Sequence, residues 1–283
     1  VQKLGIVYTP IEAVDFIIHS VEWILKKTFN KSLGSEKVNI LDPFAGTGTF
    51  ICRLLQTGVI PKDKLRKKYS NEIHSNEIIL LAYYIAGINI ETVYQEIMKE
   101  NQYLEYKGNV LTDTFQLYEQ DRDMIADLLP DNSNRRTNQK KREITVIIGN
   151  PPYSAKQSSA DLRIDRMKYP NLDESIEKHY AADSTVSLKN ALYDSYVRSF
   201  RWSTQRLNKD EGIVGFITNN SWISKQFADG MRKSLANDFN QIYIVNLRGD
   251  VRSDILSNGQ LGEGENIFGQ GSMTGISICF LIK

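Results

Sequence analysis

Apolar positions along the chain fall into two rhythms. Ile11, Val14, Ile17, Ile18, Val21, Ile24 and Leu25 recur at the spacing of one helix face. Ahead of them, Thr9 stands as an N-cap, Pro10 at the first helical position and Glu12 as the closing member of a capping box. Short unbroken runs of aliphatic residues mark strands instead, at 38–41, 144–148, 213–218, 242–247 and 276–282. Shorter candidates occupy 72–77 and 107–111. Helical spacing returns over 49–56, where Gly58 stops it, and over 78–88, 192–207 and 222–235. Four polar stretches separate these elements. Residues 61–71 read as a charged, solvated connection, and 131–142, with Arg135, Arg136, Lys140, Lys141 and Arg142, as a basic solvated loop. Residues 154–189 and the glycine-rich 248–275 are expected to be long loops, the first a candidate lid or, through Lys156, Arg163, Arg166 and Lys168, a phosphate-contacting segment.

The run Ile144–Ile148 has the β-branched, unalternating pattern of a strand buried on both faces, as in a parallel sheet. It is cut off by Gly149-Asn150-Pro151-Pro152-Tyr153. The prolines lack N–H groups and have fixed φ, so ladder pairing ends there and a stiff loop begins. Open α/β sheets place their ligands at such strand ends. Asn150 offers an amide oxygen, Pro151 a backbone carbonyl, and Tyr153 a flat ring with a polar tip. Two adjacent acceptors can hold both hydrogens of an amino group conjugated to an aromatic ring or an amide. That turns its lone pair outward and stabilises the positive charge that forms on nitrogen during alkylation. The Tyr153 ring is suited to stack on a base taken out of a duplex.

A second loop follows the strand at 38–41: Asp42-Pro43-Phe44-Ala45-Gly46-Thr47-Gly48-Thr49. Gly46 and Gly48 permit a tight turn and close approach to a ligand. Phe50 and Ile51 stand where a dinucleotide fingerprint needs its third glycine. An acidic residue closing the next strand can hydrogen-bond ribose hydroxyls. Glu77, directly before a helix, suits that place better than Glu72 at the other end. His74 reads as a packed strand residue, and His179 has no partners at metal-ligand spacing.

Composition narrows the class without deciding it. The 283 residues are 41% hydrophobic, enough for a sizeable core, and the formal net charge is +1. A nucleic-acid face must therefore be local or supplied elsewhere. Cys52 and Cys279 lie far apart, as reduced core residues of a cytoplasmic protein, and no metal site is expected. No apolar stretch is long enough to span a bilayer and no signal peptide is visible. The chain starts at Val1 inside what reads as a motif and stops at Lys283 after a strand, so a longer parent polypeptide is expected.

Asn150-Pro151-Pro152-Tyr153 resembles the catalytic motif of S-adenosylmethionine-dependent amino-methyltransferases, above all the N6-adenine DNA methyltransferases. The order of motifs, with Tyr8-Thr9-Pro10 first, then the glycine loop, the acidic strand end and Asn-Pro-Pro-Tyr, resembles the gamma arrangement. With Asn246-Leu247-Arg248-Gly249, it is similar to the methylase part of large single-polypeptide (Type ISP) restriction–modification enzymes. The resemblance implies a Rossmann-like α/β fold over 1–283: a seven-stranded, mostly parallel sheet, an antiparallel last strand, and helices on both faces. It implies S-adenosylmethionine as cofactor, held by Tyr8, Thr9, Pro10, Asp42, Phe44, Ala45, Gly46, Gly48, Glu77 and Asn109. Asn150, Pro151, Pro152 and Tyr153 become the catalytic corner, with Tyr153 and Phe268 stacking the flipped base. The implied partner is double-stranded DNA in a bacterial or archaeal cytoplasm. Recognition, helicase and nuclease regions are not visible in this segment. N4-cytosine methylation, protein-glutamine methylation and a silent cofactor- and DNA-docking module remain alternatives. No Pro-Cys dipeptide provides a cytosine C5 nucleophile.

Overall fold

A computed structural model describes residues 9–119, 129–152, 169–185, 190–249, 266–268 and 274–283. The strands are β1 (Asn39–Asp42), β2 (Ile73–Glu77), β3 (Asn109–Leu111), β4 (Ile144–Gly149), β5 (Ile213–Asn219), β6 (Gln241–Arg248) and β7 (Ile276–Ile282). They make one seven-stranded sheet in the order β3-β2-β1-β4-β5-β7-β6. β1 pairs in parallel with β2 and with β4, β2 pairs in parallel with β3, and β6 and β7 are antiparallel. This is the expected fold class. The chain divides into two compact units, Ile11–Asn150 with Arg206–Gly215, and Val1–Pro10 with Pro151–Gln205 and Phe216–Lys283.

In the first of these units, α1 (Ile11–Phe29) buries Val14, Ile17, Ile18, Val21, Ile24 and Leu25 of the face read from the sequence, whereas Ile11, at the helix start, is exposed. Its approach to the sheet depends on Gly215, where an added Cβ would lie 3.1 Å from Val21 and 3.2 Å from Ile17. The helices α2 (Thr49–Gln56) and α4 (Leu80–Met98) follow β1 and β2, as parallel crossovers require. β4 is buried at every position, consistent with a strand covered on both faces.

Two expected connections are helices. Residues 61–71 contain α3 (Lys62–Asn71), which buries only Leu65, Lys68 and Tyr69. Tyr69 stacks on Tyr94 at 3.8 Å, and Lys68 pairs with Glu72 at 2.9 Å while donating to the Ser35 carbonyl at 3.1 Å. Residues 131–142 contain α5 (Pro130–Lys140), which has no apolar residue beyond its first proline. It is held by polar bonds to backbone. The Asn132 side chain accepts from the Leu111 N–H at 2.7 Å and donates to the Leu111 carbonyl at 3.0 Å, completing the edge of β3. Arg206 donates to the carbonyls of Gln139 at 2.9 Å and Arg142 at 2.7 Å.

In the other unit, the expected loop over 154–189 is not a loop throughout. Residues 170–176 form α6 (Pro170–Ile176), continued by a wide turn, Glu177–Ala181, and Arg198 clamps Asp173 through bonds of 2.8 and 3.0 Å. α7 (Ser195–Arg206) sets Phe200 edge-on to Phe216 and 5.1 Å from the Trp222 ring. The single helix expected over 222–235 is broken into α8 (Ser221–Ser224) and α9 (Asp229–Asp238), with Lys225 extended at ψ 144. The break seats Gly230 against the chain, since a Cβ there would fall 2.0 Å from the Tyr180 carbonyl oxygen. β7 is fully buried, whereas its partner β6 exposes Tyr243, Ile244 and Val245.

Among the described residues no helix is long and apolar enough to cross a membrane, and no group of side chains could hold a metal ion.

Candidate functional site

The site is built at the carboxyl ends of β1, β2 and β4 in the unit that carries them. β1 ends at Asp42, whose carboxyl is fully buried. Oδ1 accepts from the Phe44 N–H at 3.0 Å; Oδ2 has no hydrogen-bond partner among the described residues. Burial, with the charge of Glu77 adding to it, pushes the Asp42 carboxyl up to about 8, against the pull of the Phe44 N–H. The chain then turns through Gly46 at φ 55 and Gly48 at φ 88 into α2. A Cβ on Gly48 would press on Ile90 at 3.1 Å and on the Ala86 backbone at 3.3 Å, so glycine is needed there for space as well as for conformation. Gly46 faces open space.

β2 delivers Glu77 to this turn. Its Oε2 accepts from the Gly46 N–H at 2.8 Å and its Oε1 from the Ile79 N–H at 2.7 Å. Burial raises its carboxyl above the ordinary range, opposed by those backbone N–H groups. Glu72 sits at the other end of the strand, where it accepts from the Lys37 N–H and pairs with Lys68. The two glutamates that sequence left in competition are thus separated by the length of β2.

β4 brings Gly149 and Asn150 to the same end. An added Cβ on Gly149 would lie 2.8 Å from Oδ1 of Asp42. The glycine therefore lets the last turn of β4 close directly on the end of β1, with the half-buried Asn150 next in the chain. Pro151 is buried and Pro152 exposed. Tyr153 and Tyr8 lie outside the described residues. Thr9 is buried and, with Pro10, directly precedes α1, which starts at Ile11 rather than at the proline.

Asn109 is placed differently from expectation. It opens β3 rather than closing it. Its Oδ1 accepts from Ser75 at 2.9 Å and its Nδ2 donates to the Tyr83 carbonyl at 3.0 Å, so both ends of the amide are engaged inside the protein. The residues that do reach the carboxyl end of β3 are Thr112, Asp113 and Thr114, which sequence reading passed over. Thr114 donates to the Pro43 carbonyl at 2.6 Å and accepts from Asn76 at 3.2 Å, and Phe115 packs on Phe44 with ring centroids 5.6 Å apart. The available signal was Thr-Asp-Thr directly after the apolar pair Val110-Leu111, a polar cluster ending a strand. In the other unit, Phe268 is half-buried and its N–H donates to Asn266. Asn266 in turn donates to the Thr274 carbonyl at 2.7 Å and the Gly249 carbonyl at 3.3 Å, fixing that turn.

The glycine-bearing turn after β1, an acid at the end of β2 and an asparagine after β4 define a Rossmann-like fold of the methyltransferase class. The methyltransferase subunit of a type I restriction–modification system from Streptococcus thermophilus shares that fold, with a TM-score of 0.53 at 13% identity over 98% of this chain and 44% of that one. A family model narrows the class: the Eco57I restriction-modification methylase model matches residues 55–252, and the chain belongs to that family. It is similar to a nuclease-deletion mutant of the Type ISP restriction–modification enzyme LlaGI, solved with a DNA substrate mimic. Identity there is 47% and the TM-score 0.90, over 98% of this chain and 23% of that one. It is also similar to the ATP-dependent Type ISP enzyme LlaBIII bound to DNA, at 48% identity and a TM-score of 0.90 over 98% of this chain and 19% of that one. The chain therefore spans about a fifth to a quarter of the length of these proteins. Comparison with curated protein sequences finds no match.

Proposed function

We propose that this chain is the catalytic domain of a DNA methyltransferase, the modification part of a restriction–modification enzyme. It transfers a methyl group from S-adenosylmethionine to N6 of an adenine rotated out of double-stranded DNA. The observation that carries this reading is the contact of Gly149 with Asp42, which joins the end of β4 to the turn at 42–48.

The cofactor, when bound, supplies a methyl group on a positively charged sulfur. The donor set fits its other groups. The buried Asp42 carboxyl, with one oxygen unpartnered, suits an ammonium group. Glu77, already fixed by two backbone N–H groups, keeps lone pairs for ribose hydroxyls. Phe44, Ala45, Gly46 and Gly48 form the turn that the cofactor lies against. Tyr8, Thr9 and Pro10 at the head of α1 receive the carboxylate. Asn109 acts from beneath by holding Ser75 and Tyr83, while Asp113 is the acid at the adenine end. Asn150 and the Pro151 carbonyl hold the target amine, Pro152 stiffens the corner, and Tyr153 and Phe268 stack the base. Target recognition, helicase and nuclease functions belong to other parts of the parent polypeptide.

The test is methyl transfer from tritium-labelled cofactor to duplex DNA, with nucleoside analysis of the product. N6-methyladenine is expected. N4-methylcytosine, or label on a protein glutamine, would replace the proposed acceptor. Asn150→Ala should lower kcat about 10²–10³-fold or more, as loss of a donor or acceptor aimed at developing charge does, with cofactor binding little changed. Normal turnover in that variant would remove Asn150 from its role.

A further inference from the structure

A second polar cleft lies at the opposite, amino-terminal ends of the same strands. It measures about 390 Å³ and is lined from the start of β2 (His74), the segment before β3 (Lys107), α5 (Arg135, Gln139) and the segment before β4 (Arg142). His74 is 7% exposed and Gln139 3%, and the Nε2 atom of each is buried with no hydrogen-bond partner among the described residues. Buried polar atoms are nearly always satisfied, and here two residues that each carry an unsatisfied one line the same cleft. The charges around them have one sign in excess. Arg135 is paired with Glu105, and Asp131 also faces the cleft, but neither Lys107 nor Arg142 makes an ion pair among the described residues. Arg142, Arg206 and Lys68 all act on the imidazole, which burial holds neutral, its pKa pushed down to about 3. The ring is thus a neutral hydrogen-bonding group in a positive field. Among the described residues no phenylalanine, tyrosine or tryptophan lines the cleft to offer a platform for a base.

We propose that this cleft binds a phosphate group carried by a small ligand. Lys107 and Arg142 supply the charge, and Gln139 and the Nε2–H tautomer of His74 supply buried hydrogen bonds. A tetrahedral group with several acceptor oxygens matches donors drawn from four stretches of the chain around one cleft, and charge-assisted bonds are the strong ones. The site is independent of the methyl-transfer reading, because its residues share nothing with the turn at 42–48 or with Asn150.

The chain contains three histidines, so their ring nitrogen signals can be followed individually by NMR, with His74→Gln assigning the one of interest. Inorganic phosphate, tripolyphosphate and ATP are titrated separately at constant ionic strength held with chloride, and affinities are checked by calorimetry. The His74 signal should shift saturably while those of His19 and His179 stay in place. Lys107→Ser with Arg142→Ser, both exposed positions that leave the core intact, should weaken binding at least tenfold. Equal affinity for tripolyphosphate and ATP would confine recognition to the phosphates, and tighter binding of ATP would make a nucleotide the source. Absence of a saturable shift with all three, or undiminished affinity in the double variant, overturns the proposal.

Discussion

Asp42→Asn should make the protein more stable at neutral pH and worse at binding its cofactor. In the folded protein the carboxyl is held up to about 8, against an ordinary value of 3.8. Between those values the native state keeps a proton that the unfolded chain releases, so stability falls as pH rises through this window. At 1.36 kcal/mol per pH unit, the burden on the native state is about 4 kcal/mol at pH 7, as an order of magnitude. Asparagine removes the titration while its oxygen still accepts from the Phe44 N–H. Its NH2 group falls where Oδ2 has no partner, which returns roughly 1–3 kcal/mol of the gain. The absolute difference between the two proteins is therefore small. Its slope is the sharper quantity: from pH 5 to pH 7 the stability of Asp42→Asn relative to wild type should grow by about 2.7 kcal/mol. Urea denaturation of both proteins across that range measures it. Glu77 and His74, also shifted by burial, are present in both and largely cancel in the difference. Cofactor affinity, read by calorimetry at pH 7, should drop at least tenfold in the stabilised variant. A stability difference that stays flat from pH 5 to pH 7 would refute the assignment of Asp42 as a buried, unpartnered acid.

The turn and its support give sharper contrasts. Gly48→Ala, with φ 88 and a Cβ pressing on Ile90 and Ala86, should lower stability by about 1–3 kcal/mol and weaken cofactor binding. Gly46→Ala, at φ 55 in open space, should lower stability by only about 1–2 kcal/mol; thermal melts of the pair check the order. Thr114→Val removes the bond to the Pro43 carbonyl and leaves Asn76 short of an acceptor, for about 1–3 kcal/mol. Because Thr114 acts only by positioning the turn, its variant should raise the KM for cofactor more than it lowers kcat.

What could be read in advance follows from how each element is held. Elements held by apolar burial declare themselves: β4 and β7 are buried at every position and were legible to within a residue, as was the face of α1. The turn at 42–48 was legible because its glycines adopt positive φ, a constraint carried by residue type. α5 escaped because nothing apolar holds it. Its ties are polar, with Asn132 pairing with both backbone groups of Leu111 and Arg206 reaching the Gln139 carbonyl, and a lone Asn132 in a polar stretch looks the same whether it caps a strand edge or faces water. The same blindness affected Asn109 and Thr114. Both are small polar residues near the end of a short strand, and only the register Ser75 against Asn109 shows which end each occupies. That register turns Asn109 inward toward Ser75 and Tyr83 and leaves Thr114 to reach Pro43. Residue type thus announced the chemistry of the site, whereas strand pairing decided which polar side chains face it. For this sheet the decision rests on a β3 only three residues long, so the support beneath the turn is where a substitution that leaves every motif intact can still disable the site.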